Sequence, residues 1–84
     1  MRLLIVDDDA LIRKSLKLNL SKEEGIEVVG TAADGGEAVK LCEELSPDIL
    51  LMDIRMPGID GIGATRLIKE RHPHIRIMML TTFD

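Results

Sequence analysis

Four short apolar runs punctuate the chain, and the three stretches between them repeat with helical period. That alternation constrains the fold more than any other feature of the sequence. Leu3-Leu4-Ile5-Val6 reads as a strand apolar on both faces. Glu27 to Ala32 reads as a more polar strand near an edge, Asp48 to Met52 as a third and Ile75 to Leu80 as a fourth. Between the first two, Ala10 to about Leu20 carries Ile12, Leu16 and Leu20 on one stripe, widened by Leu11 and Leu18, with Asp9 as N-cap. Asp34 and Glu37 have the spacing of a capping box, and the helix they open carries Ala38, Leu41, Cys42 and Leu45 inward until Ser46-Pro47 stops it. Asp60 is placed to cap a third helix with Ala64, Leu67 and Ile68 inward, weakened at its start by Gly61 and Gly63 and ended by His72-Pro73. The order β-α-β-α-β-α-β with short connections predicts an α/β fold, a doubly wound parallel sheet with helices on both faces.

The fourth run is apolar almost throughout, as in a strand with neighbours on both sides. The sequence stops four residues after it, which predicts either a pairing partner or the front part of a longer domain, with the second favoured. With 84 residues there is room for one small domain. The net charge of −4 and a single aromatic residue, Phe83, argue against nucleic-acid binding by this segment. The lone Cys42 excludes an internal disulfide and a cysteine zinc site, and is expected to pack as a small core residue in a reducing compartment. His72 and His74 flank a proline and are expected as solvated loop residues. No run nears the roughly 20 apolar residues of a membrane span. Met1 to Val6 is too short for a signal-peptide core, so a cytoplasmic location is expected.

Asp53 ends the third run, and the breaker Arg55-Met56-Pro57-Gly58 follows. In open α/β sheets ligands bind just outside the carboxyl ends of the strands. Asp7 and Asp8 end the first run and Thr81 the fourth. If the first and third strands are neighbours, three carboxylates converge, at a cost that a divalent cation removes; all-oxygen donors suit magnesium. Otherwise these are solvated loop aspartates that never meet.

At these residues the chain resembles the receiver domain of bacterial two-component response regulators. The resemblance rests on Val6-Asp7-Asp8, on Leu51-Met52-Asp53-Ile54-Arg55-Met56-Pro57-Gly58-Ile59-Asp60-Gly61 and on Met79-Leu80-Thr81, and it covers all 84 residues. It implies a flavodoxin-like fold of strand order 2-1-3-4, truncated after the fourth strand, with residues 1–84 a partial receiver and any output domain beyond residue 84. Asp53 would accept a phosphoryl group from a sensor histidine kinase. Asp8 and Asp53 would ligate Mg2+ through carboxylates, Arg55 through its backbone carbonyl, and Asp7 through water. Thr81 would hydrogen-bond a phosphoryl oxygen. Arg55 and Phe83 are expected to flank the site and tune the lifetime of the phosphoryl group.

Thr81-Thr82-Phe83-Asp84 looks like the same stretch in LuxR/FixJ-type (NarL-like) regulators, which implies transcription regulation, with DNA reached only through an output domain and homodimers as a family habit. The family's phosphoryl-contacting lysine and switch aromatic have no counterpart in these residues. The resemblance implies a phosphoacceptor that labels itself, not a turnover enzyme. Two rival readings are a receiver-like interaction module that takes no phosphate and a haloacid-dehalogenase-type phosphatase using Asp7 and Asp9. The second has Leu11 where that family usually has Thr or Val, and it leaves Asp53 unexplained.

Overall fold

The computed structural model describes residues 1–53 and 60–80; the side chains of Asp60 and Gly61 lie outside that description. Its elements follow the expected order: β1 (Arg2–Val6), α1 (Ala10–Ser21), β2 (Glu27–Ala32), α2 (Gly35–Leu45), β3 (Ile49–Asp53), α3 (Asp60–Arg71) and β4 (Arg76–Leu80). The strands form one parallel sheet in the order β2-β1-β3-β4. β1 therefore lies between β2 and β3, and its end pairs at Val6 with Ala32 on one side and Met52 on the other.

The alternation of side chains along a strand divides the core into two faces. Leu4 and Val6 of β1 join Leu50 and Met52 of β3 beneath α2 and α3, which contribute Ala38, Cys42, Ala64 and Ile68. Leu3 and Ile5 point the other way with Leu51, against Leu16 and Leu20 of α1. Cys42 is fully buried, as expected, and burial pushes its thiol pKa up to about 11, which leaves it protonated and unreactive at neutral pH.

Caps and pins set the element ends. Asp9 Oδ1 accepts from the Leu11 and Ile12 N–H groups at 2.8 and 3.3 Å, and Asp34 Oδ1 accepts from Glu37 N–H at 2.8 Å. Each such cap is worth about 1 kcal/mol. Ser46 closes α2 in the left-handed region at φ 47°, and Pro47 prevents the helix from continuing. Asp48 is not the first residue of β3. Its carboxylate accepts from Arg2 N–H at 2.7 Å and its own N–H donates to Arg2 carbonyl oxygen at 2.8 Å, so it pins the starts of β1 and β3 together.

Two further expectations are corrected, one for α1 and one for His72. Leu11 and Leu18 do not widen the buried stripe of α1; they are 75% and 59% exposed, because among the described residues α1 alone covers its face and has no helix beside it. β4 lies at the end of the sheet among the described residues, as the order 2-1-3-4 implies, and Met78 and Met79 are exposed there. His72 is half-buried, with its ring set edge-on to His74 at 6.1 Å.

Candidate functional site

The topology brings the carboxyl ends of β1 and β3 side by side, and with them Asp7, Asp8 and Asp53. Asp7 and Asp53 are buried while Asp8 is exposed, and each offers a carboxylate oxygen within 4.8 Å of the other two. They line an open cavity of about 350 Å3 with Asp9 and Ile12. The aspartates do meet, so the reading as scattered loop residues is set aside for these three. Thr81 and Arg55, with Met56-Pro57-Gly58 and Phe83, lie outside the described residues.

The cluster is held by its backbone. Asp7 N–H donates to the Ala32 carbonyl oxygen at 3.1 Å, which extends the β1–β2 ladder by one residue. Asp9 N–H donates to Asp7 Oδ1 at 2.9 Å and orients that carboxylate. Burial is the main reason that the Asp7 pKa rises above its ordinary 3.8; the Asp9 hydrogen bond opposes it, and the charges of Asp53 and Asp8 add to the rise. Close carboxylates disfavour one another's charged forms, and a cation reverses that. Three hard oxygen donors, with no His or Cys in the cluster, match the preference of magnesium for a few carboxylates and retained waters.

One contributor was not foreseen. Arg13, one turn into α1, donates from Nη1 to the Asp7 backbone carbonyl at 2.6 Å and ties the helix to the end of β1. In sequence it is one of several cations on a helix face, and nothing in the spacing singles it out. Asp9 is the N-cap of α1, as expected, and has Oδ1 engaged by two backbone N–H groups, which disfavours its use as the acid–base carboxylate of a phosphatase.

Fold and site together define an α/β domain that gathers a cation-ready trio of carboxylates at the carboxyl edge of a parallel sheet. The family model described as "response regulator receiver domain" matches residues 3–84, and the chain belongs to that family. The response regulator GacA of Pseudomonas viridiflava is 43% identical over 84 residues, which are all of this chain and 39% of that protein. A protein-glutamate methylesterase/protein-glutamine glutaminase of Geobacter metallireducens is 52% identical over 73 residues, 87% of this chain and 21% of its own length. The crystal structure of a LuxR-family two-component response regulator from Aurantimonas sp. superposes with a TM-score of 0.89 at 38% identity, covering 99% of this chain and 59% of that one. The chain thus spans well under half the length of these curated relatives. Among the described residues no helix is long and apolar enough to cross a membrane.

Proposed function

We propose that Asp53 is the phosphoacceptor of this receiver domain, and that a sensor histidine kinase is the donor. The observation that carries the reading is the meeting of Asp7, Asp8 and Asp53 within 4.8 Å at the carboxyl edge of the sheet. One Asp53 carboxylate oxygen attacks the phosphorus of a phosphohistidine. The new O–P bond forms as the P–N bond breaks, the imidazole leaves with the bonding pair and takes a proton, and an aspartyl phosphate remains. β3 delivers Asp53 rigidly, so much of what the chain contributes is position. Asp8 and Asp53 would hold Mg2+ through their carboxylates, with Asp7 assisting and the Arg55 backbone carbonyl completing the protein's share. When bound, the ion neutralises the carboxylates and the phosphoryl oxygens and acts as a Lewis acid. The Asp9 N–H and the Arg13 guanidinium keep Asp7 in place from behind. The Thr81 hydroxyl would donate a hydrogen bond to a phosphoryl oxygen, and Arg55 and Phe83 would tune the lifetime of the phosphoryl group.

The domain labels itself once per chain and does not turn over. Residues 1–84 form part of a receiver whose output lies in further sequence. The LuxR-family structural match supports transcription regulation. With that role we place the domain in the cytoplasm, with DNA contacted only by the output domain and homodimers as a family habit.

Incubation with a small acyl phosphate and magnesium, followed by intact-mass analysis, tests the proposal. One phosphoryl adduct per chain is expected, and chelation of the magnesium should suppress its formation. Magnesium binding without an adduct favours the phosphate-independent interaction module instead. Continuous release of phosphate from a stable phosphate ester favours a phosphatase.

A further inference from the structure

Beside α1 and β2 lies a second, open depression of about 260 Å3, lined by Ala10, Arg13, Thr31 and the exposed Lys14 and Lys17. The two linings share no residue. The acidic cavity presents four aspartates, whereas this one presents three cations and a hydroxyl. The contrast is built into the sequence: Ala10–Ser21 holds no acidic residue in a chain whose net charge is −4.

Positions 13, 14 and 17 are related by i, i+3 and i, i+4, which bring side chains onto one helical face roughly 5–6 Å apart at their Cβ atoms. Like charges at that spacing weaken a helix, and an anion between them reverses the effect. Among the described residues neither Lys14 nor Lys17 has an ion-pair partner. Arg13 is half-buried and already anchored by its bond to the Asp7 carbonyl, so its fork is partly ordered before any ligand arrives.

We propose that this cleft binds a compact small-molecule anion with adjacent phosphoryl groups. Arg13, Lys14 and Lys17 neutralise its charge, and the Thr31 hydroxyl donates a hydrogen bond. The volume falls below the range of about 300–1,000 Å3 usual for drug-sized ligands, and among the described residues no aromatic ring lines the cleft to stack a base. The phosphoryl moiety is therefore what is recognised, whether it stands alone as pyrophosphate or forms part of a nucleoside diphosphate.

The test titrates the whole chain with inorganic pyrophosphate in magnesium-free buffer, by calorimetry and by amide chemical shifts. Without a cation the acidic cavity repels this probe, so binding reports on the α1 cleft. Saturable one-to-one binding is expected, with shifts centred on residues 13, 14, 17 and 31. Lys14→Gln/Lys17→Gln should weaken it about tenfold or more, as expected for lost charge-assisted hydrogen bonds. The charge-matched Lys22→Gln/Lys40→Gln should bind within about twofold of the parent, since those residues lie outside the lining. Asp53→Asn should also bind, whatever becomes of the phosphoacceptor reading. Melting curves identify any variant that fails to fold, and Lys14→Gln and Lys17→Gln as single changes then carry the comparison. ADP binding as tightly as pyrophosphate supports a nucleotide source within the proposal, and ADP binding more weakly supports the free anion. The proposal is overturned by absence of saturation, by equal weakening in the two charge-matched variants, or by attachment to phosphatidylglycerol vesicles without binding of the soluble anion.

Discussion

Asp53→Asn takes no phosphoryl group from a small acyl phosphate, and its magnesium-free form melts above the parent. The first result follows from removal of the proposed nucleophile. The second follows from charge. Two unit charges about 5 Å apart near a protein surface repel by a few kcal/mol before relaxation and solvent screening, so a net gain of about 1 kcal/mol is expected. In a domain of this size that raises the melting temperature by roughly 4–8 °C. Added magnesium then reverses the order. The parent gains stability in proportion to its occupancy, and the variant, short of one ligand, gains much less. Differential scanning calorimetry with and without magnesium reads both effects. Equal magnesium shifts in the two proteins would remove Asp53 from the metal site.

Leu50→Ala costs about 2–5 kcal/mol, the range for deleting a buried leucine side chain. Leu50 is fully buried on β3, where it pairs with Leu4 and Ile77 and joins the core that α2 and α3 cover. Small domains have only about 5–15 kcal/mol in total. The urea midpoint should therefore fall steeply, with the slope of the transition unchanged. Leu11→Ala is the matched control. Its side chain is 75% exposed, so the midpoint should move by no more than about 0.5 kcal/mol equivalent. If the two variants lose comparable stability, the division of the core into a Leu50 face and a lightly covered α1 face is wrong.

Much of this architecture is legible in the sequence for a physical reason. A parallel sheet buries both faces, so its strands are apolar runs, and the helices between them keep one apolar stripe. Short connections then leave few topologies. The carboxyl edge was equally legible, because Asp7, Asp8 and Asp53 each follow a run and parallel strands share one edge.

What the pattern could not supply is what covers each surface. Leu11 and Leu18 have the right period to be buried, and they are exposed because no second helix flanks α1 among the described residues. Met78 and Met79 are exposed on a strand whose composition alone suggests neighbours on both sides, although the order 2-1-3-4 places it at the edge among the described residues. Long-range polar contacts were also hidden. Asp48 reads as a strand residue yet bonds to Arg2, and Arg13 reads as surface charge yet bonds to the Asp7 carbonyl. Periodicity reports which face a residue occupies, whereas these bonds depend on how two elements far apart in sequence dock. Thr81 and Arg55 rest on the resemblance alone, since both lie outside the described residues.

Borohydride reduction of the labelled chain, followed by tandem mass mapping, tests the central claim most directly. An aspartyl phosphate is an acyl phosphate, and hydride converts the acceptor to homoserine, which marks its position permanently. Homoserine at position 53, dependent on magnesium during labelling, is the predicted result. Homoserine at position 7, 8 or 9 instead, or a phosphoryl adduct that yields no homoserine, would contradict it.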